Sequence, residues 1–491
     1  MDIQELNEML QADNSLGVVA ELKNGRNKPL PNIETINKQM EPEMHNVMNP
    51  SLRPDKRIVV DKEQVGDDVI GLYQESGTMT RIEKVNRIAL ALQKLIAKRA
   101  ASFCFGNDIT ISCDAKEGTA EADVLKSVLK IMKKAKTRSI NRRIAKEIFS
   151  STEAAELWYV VKHPTNKYGF ESQYTIRCRE LLPSKGYTLY PYFDDYGDMI
   201  AFSYEYHTTD MNQIKHKFFE TYTDTARYRW SMDDNNEWGL EEGFPKVNPL
   251  GKIPVVYGCQ DEPEWADVQW MIDRLETLLS NFGDTNDYHG APKIVVKGQI
   301  NGWAKKGESG DVLEIDNDGD ISYLSWQQAP ESVRLEIDTL LRMIYTITQT
   351  PDISFDAMRG IGQVSGTALK LLFMDAHLKV VDKGDIFDDY LPRRLSIVTD
   401  LTKMVNTSDV AFQEACDTIE IDAYITPYMI DDDRSKVDLA LAANGGKTVM
   451  SRRTSIQYCG MVDDVDQEMQ RIDEEENGSF APVQDIVEPT I

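Results

Sequence analysis

Two stretches of the chain repeat apolar residues at alternating steps of three and four. In the first, Trp265, Val268, Ile272, Leu275, Leu279 and Phe282 step 3-4-3-4-3; in the second, Val333, Ile337, Leu340, Ile344 and Ile347 step 4-3-4-3. This spacing places a narrow seam along one side of a helix. About 19 residues at 1.5 Å each give a first rod of roughly 28 Å. Asp261 and Glu264 suit a capping box, with Pro263 tolerated in the first turn. Gly283 and the polar run GDTNDYHG end the first rod, and Pro351 ends the second. A chain that leaves along one rod and returns along a second of nearly equal length ends at its starting level. Residues 291–330 then sit at the far tip, where KIVVKG, DVLEI and ISYLSW read as a small β unit between Gly- and Asp-rich turns. Two rods with a tip are too narrow to be a domain alone. Lateral packing against copies, in a ring or bundle, is the natural remedy.

Other segments carry other periods. Ile82, Val85, Ile88, Leu92 and Leu95 (or Ile96) predict a helix from about Arg81 to Ser102, stopped by Gly106-Asn107-Asp108. Residues 122–149 form a second amphipathic helical stretch. Across residues 172–257, short aromatic and β-branched runs alternate with turns, the pattern of a β-meander. Its DDYGD and MDDNNE runs lack the spacing and closing Glu of a calcium loop and read as hairpin turns. Residues 24–56, rich in Asn and Pro, read as an extended arm with little core of its own. Leu369, Leu372, Phe373, Ala376, Val380, Phe387, Tyr390 and Leu391 mark a long helix kinked at Pro392, and residues 396–405 resume the pattern. The C-terminal region reads as a strand, a helix stopped at Asn444-Gly445-Gly446, a helix started near Ser451 and an acidic last helix running into a disordered tail. The fold class is α+β.

Charge and chemistry narrow the function. The chain of 491 residues has a formal net charge of −26, which argues against a protein that grips nucleic acid overall but not against one that DNA passes without sticking. Lys126 to Lys146 departs from that balance, with nine basic residues and no acidic one. It is either a solvated helix face docked on an acidic neighbour or a surface facing nucleic acid. No apolar run approaches the ~20 residues of a bilayer span, and the acidic N-terminus lacks a signal-peptide layout; the chain reads as cytosolic. Six scattered cysteines without a CxxC pair read as buried free thiols. No histidine pattern, triad or metal cluster points to an enzyme, and no cofactor is implied. The glycine-rich GIGQVSG (residues 360–366) is not a phosphate cradle: it follows a helix rather than a strand, and its last glycine leads into Thr367-Ala368 instead of Lys-Ser/Thr. It reads as a mobile loop, with Ser365 as N-cap of the following helix.

Four stretches together resemble the portal proteins, or head-to-tail connectors, of tailed bacteriophages, in the branch typical of long-tailed phages of Gram-positive hosts. They are NRIALALQKLIAKRAASFCFGNDITI, NPLGKIPVVYG with DVQWMIDRLETLLSNFGD, TPDISFDAMRGIGQVSGTALKLLFM, and KTVMSRRTSIQYCGMVDDVDQEMQRIDEE. The resemblance covers roughly residues 55–476. It implies a ring, usually of twelve subunits, at one capsid vertex of the virion, assembled in the host cytoplasm, with double-stranded DNA entering and leaving through its channel. The implied parts are an N-terminal arm (1–55), wing (56–260), stem helix one (261–290), clip (291–330), stem helix two (331–351), tunnel loop (352–366), long kinked helix (367–395), crown (396–476) and tail (477–491). The implied partners are terminase, a head-tail adaptor, scaffolding and major capsid proteins, and no membrane.

On that expectation the tunnel loop supplies the channel candidates Asp352, Asp356, Arg359, Gln363 and Ser365. Arg359 is the only cation between Pro351 and Gly366. It forms either a ring of attraction for DNA or a pair with Asp352 or Asp356 of a neighbour. Trp303, Lys305 and Lys306 are the candidate partner-binding patch of the clip, or a solvent-facing turn. The first rod, residues 261–287, carries eight acids against Arg274 alone, a face that would repel DNA if it lined the channel. A β-rich surface protein of a phage particle is the rival reading, resting on residues 172–257; it leaves the two matched rods unexplained.

Overall fold

The computed structural model describes residues 3–11, 15–60, 72–75, 78–211, 213–290, 293–297, 320–324, 329–353, 373–407, 409–428, 433–444, 448–462 and 464–478. The chain divides into two units, residues 1–352 with 375–428, and residues 353–374 with 429–491. Helices and strands occupy separate layers, an α+β arrangement.

The meander is the middle of the larger unit. Thr188–Phe193, Met199–Thr209, Lys215–Tyr222, Ala226–Met232 and Trp238–Leu240 pair antiparallel in chain order, and Lys246–Val247 adds to Ala226–Met232. Its turns are hairpin turns. Asp194 Oδ1 accepts from the amides of Tyr196 and Asp198, and Asp233 Oδ1 from those of Asn235 and Glu237, so these carboxylates serve the backbone.

Alternation gives the sheet two buried faces. Tyr190, Phe219, Tyr228 and Trp230 meet Leu6, Leu10, Val18, Val19 and Leu22 from the helices Ile3–Gln11 and Ser15–Asn24. Leu189, Phe202, Tyr204 and Tyr222 meet a second sheet, in which Glu153–Thr165 lies between Val255–Cys259 and Ser172–Leu181. Burying aromatic and aliphatic side chains on both faces is the main stabilising term. The helices Ile3–Gln11 and Ser15–Asn24, ahead of the Asn- and Pro-rich stretch, complete a core layer, and within residues 24–56 Ile36, His45 and Val47 are buried.

The outer face of the second sheet carries the helices Leu92–Phe105, Thr137–Ser151 and Met374–Val405. At Gly258 a Cβ would come within 3.0 Å of Ile148 and Tyr390, so a glycine lets the helices approach the strand. Met374–Val405 runs as one helix through Pro392. The stretch 122–149 is two helices, Ala120–Ala135 and Thr137–Ser151, joined at Lys136 in the left-handed conformation (φ 60°). Residues 81–91 are not helical, contrary to the periodicity: Thr78–Glu83 is a strand and the helix begins at Leu92. All six cysteines are free, and burial pushes the Cys104 and Cys416 thiols up to about 12.

In the smaller unit, three helices, Asp433–Asn444, Arg452–Cys459 and Val465–Gly478, are linked by Asn444 Nδ2 to Ser455 Oγ (2.7 Å) and by the pairs Arg452–Glu476 and Arg453–Asp466. Ser451 caps the middle one by accepting from the Thr454 amide (3.1 Å). The strand Ile421–Tyr424 belongs to the larger unit and pairs with Thr110–Cys113, some 300 residues earlier.

Candidate functional site

The two rods are the helices Gln269–Gly290 and Ala329–Ile347, and they lie against each other. Arg274 donates to Glu336 Oε1 through Nε (2.9 Å) and Nη2 (2.7 Å), which fixes their antiparallel register. At the tip Lys293–Lys297 pairs with Asp320–Leu324, Lys293 opposite Leu324. The first rod starts eight residues after Asp261 and runs through Gly283, and the capping box is not made. Asp261 pairs with Lys28 (2.7 Å), and Glu264 is drawn away by two lysines described below.

Three sides of the first rod have distinct surroundings. Ile272, Leu275 and Leu278 are buried. Arg274 reaches the second rod. On the third side Glu276, Ser280 and Asp284, spaced by four, hold an extended strap of the same chain. Leu90 N donates to Glu276 Oε1 (2.7 Å), Ile88 N to Ser280 Oγ (2.9 Å) and Asn86 N to Asp284 Oδ1 (2.6 Å). Four helical residues advance about 6 Å and two extended residues about 6.6 Å, so alternate strap amides meet every fourth rod side chain. Asn86 Nδ2 also donates to Asp287 (2.6 Å), while Arg53 bonds Asp284, Asn281 and the Asn86 carbonyl. This zipper holds residues 86–90 out of a helix despite their helical period. Their amides are satisfied by side chains instead of by a helix.

His45 closes the strap. Its Nδ1 lies 2.7 Å from Glu276 Oε1 and its Nε2 2.8 Å from the Gln39 carbonyl. Both partners accept, so the ring donates from both nitrogens as an imidazolium. Burial opposes that charge, but the hydrogen bond to Glu276, the charges of Glu276 and Asp273 and the Gln39 carbonyl outweigh it, and the His45 pKa is raised. A raised folded-state value means the stabilisation is complete below the unfolded value of about 6.5 and is lost as pH rises through the folded value. The expected outcome is a thermal midpoint that declines from pH 6 to pH 9 more steeply in the wild type than in His45→Gln.

The base of the hairpin is stitched by cations. Lys379, from the long helix, contacts Glu264 Oε2 (2.6 Å) and donates to the Thr348 carbonyl (2.8 Å); Lys383 contacts Glu264 Oε1 (2.7 Å). Arg99 donates to the Pro351 carbonyl (2.7 Å) and lies 5.8 Å from the Tyr345 ring. Positive groups thus hold the carbonyls just beyond the end of the second rod, the side where the helix dipole favours cations. Burial and the Asp352 charge push the Tyr345 phenol up, with Arg99 opposing.

Of the residues expected from the sequence, Asp352 is exposed just beyond this base. Asp356, Arg359, Gln363, Ser365, Trp303, Lys305 and Lys306 lie outside the described residues. Of the eight acids of residues 261–287, Asp261, Glu262, Asp267 and Asp287 are exposed, and six are partnered. Asp261, Glu264, Asp273, Glu276, Asp284 and Asp287 each have a partner within the chain. The sequence does carry one signal of the base: Lys379 falls inside the apolar stripe of Ala376 and Val380, where a charge needs a partner.

The sequence model of the family described as "Phage portal protein, SPP1 Gp6-like" matches residues 20–479. No curated protein sequence matches the chain. Among solved structures, the neck of a native gene transfer agent particle computed with C12 symmetry is similar at 11% identity and TM-score 0.40, covering 75% of this chain and 88% of that one. The neck of the empty particle computed with C6 symmetry gives 11% and 0.40, covering 75% and 89%.

Proposed function

Because the chain belongs to the SPP1 Gp6-like family of phage portal proteins, we propose that it forms a ring channel, of twelve subunits, at one capsid vertex of the virion. Double-stranded DNA is packaged and ejected through this channel. Terminase docks on it during packaging and head-tail adaptors afterwards, with scaffolding and major capsid proteins around it during assembly in the host cytoplasm. Its role is structural rather than catalytic. In this reading residues 56–260 form the wing, the two rods the stem, 291–330 the clip, 352–366 the tunnel loop and the later helices the crown. Arg359 provides a ring of cations in the tunnel loop, and Trp303, Lys305 and Lys306 a contact patch on the clip.

The observation that carries the ring is what the strap and the base leave open. On the two rods Trp270, Leu335, Met343 and Ile347 are 63%, 68%, 43% and 44% exposed. Apolar side chains along a narrow hairpin need a partner, and a copy of the same hairpin supplies one. Particle mass and electron microscopy test the reading. The wild type is expected as particles of several hundred kilodaltons with a central opening. Leu335→Asp combined with Met343→Asp is expected to leave folded single chains of 55.8 kDa. A wild type that stays single-copy under assembly-permissive conditions overturns it, as do particles without a hole.

A further inference from the structure

The basic run from Lys126 to Lys146 plays no part in the hairpin. All nine of its basic residues are exposed, eight on the helices Ala120–Ala135 and Thr137–Ser151 and Lys136 at their junction. Among the described residues, Lys130, Lys133 and Arg142 are in no ion pair. The face continues onto the neighbouring hairpin. Lys134 donates to Thr165 Oγ1 (3.1 Å), and burial together with the charges of Lys167 and Arg177 lowers its pKa. Lys126, Arg138 and Arg143 pair with Asp123, Asp108 and Glu180, and the other six cations of the run are in no ion pair among the described residues, in a chain of net charge −26. At physiological salt the acids elsewhere are screened beyond about 8 Å.

We propose that this face binds the phosphate backbone of double-stranded DNA, outside the channel. Its composition separates that partner from a protein. Protein interfaces centre on aromatic and apolar anchors and are depleted in lysine, whereas this face is lysine-rich, and Leu129 is the only large apolar residue exposed on its two helices. Its cations stand at four-residue steps, about 6 Å apart, against a duplex charge spacing of about 3.4 Å per strand. A row of cations therefore meets about every second phosphate. The proposal goes beyond the channel reading and needs no ring, since the whole face lies on one chain.

The test is binding of the full-length protein to covalently closed circular duplex DNA, which cannot thread a closed ring, from about 50 to 200 mM salt. The expected result is binding whose logarithm falls linearly with log salt, about 0.9 per phosphate contacted. Lys130→Glu with Lys133→Glu should weaken it about tenfold at low salt and make the slope shallower by about 2. Lys130→Arg with Lys133→Arg should preserve both quantities. Both positions are exposed, so thermal midpoints should be unchanged. Equal binding by wild type and charge-reversed protein overturns the proposal, as does binding to linear DNA alone. Tighter capture of polyglutamate than of DNA also overturns it and assigns the face to an acidic protein. Particle mass is measured on the same samples, so an intact ring without circle binding rejects this inference alone, and circle binding without a ring rejects only the channel.

Discussion

Arg394→Ala is expected to cost about 3–5 kcal/mol, the scale for stripping one partner from a fully buried ion pair. Arg394 and Glu156 are both fully buried. The guanidinium donates to Glu156 through Nε and Nη2 and to Asn141 Oδ1 through Nη1, and Trp158 Nε1 donates to the same carboxylate (3.1 Å). One side chain therefore ties the long helix to the second sheet and to the helix Thr137–Ser151. Alanine leaves the carboxylate charged and without its cation where water does not reach. Thermal and urea unfolding measure the loss. A double replacement, Glu156→Leu with Arg394→Met, should recover most of it, because an apolar pair removes the desolvation cost along with the attraction. A single-variant loss below about 1 kcal/mol, the scale of an exposed pair, would contradict the buried geometry.

Lys379→Ala is the second large effect, expected at about 2–3 kcal/mol, the scale of charged hydrogen bonds left unmade in a buried site. It strands the Thr348 carbonyl and leaves Glu264 to Lys383 alone. Burial raises the Glu264 pKa, and the two lysines more than offset it, so the carboxyl is held low. A lowered folded-state value gives stabilisation that is present above the unfolded value of about 4.3 and lost as pH falls through the folded value. The wild type should therefore lose stability on acidification in a window where Lys379→Ala loses less. Limited proteolysis should also cut the variant faster near residues 348–353, because the rod end is released from the long helix.

The parts of the fold readable from sequence were those with a clean period. The two rods, the meander with its Asp-led turns, the strand near Ile421 and the Ser451 cap all follow from local pattern. Three features had no local signal. Ile82, Val85 and Ile88 keep a helical period, yet Ile82 pairs in a strand, the Val85 amide donates to Asp55, and Asn86, Ile88 and Leu90 find acceptors on Asp284, Ser280 and Glu276 almost 200 residues away. Ile421–Tyr424 finds its partner strand only through the tertiary fold. The acids of residues 261–287 carry no local sign of the groups that meet them, Lys28, Lys379, Arg53 and His45 among them. Glu264 shows the same limit, since its spacing fits a cap and its charge goes to lysines on another helix.

The strap and the first rod behave as two rulers with slightly unequal graduations. Each matched mark adds a mismatch of about 0.6 Å, the difference between the helical and extended advances. After three marks the error approaches what a hydrogen bond tolerates, and beyond Asn86 the chain turns off into the strand Thr78–Glu83. Such a vernier reads out only one alignment. Deleting a single residue between Asn86 and Leu90 would shift every graduation on one side by half a division, so the alignment of the rod on the strap is set in discrete steps rather than by sliding.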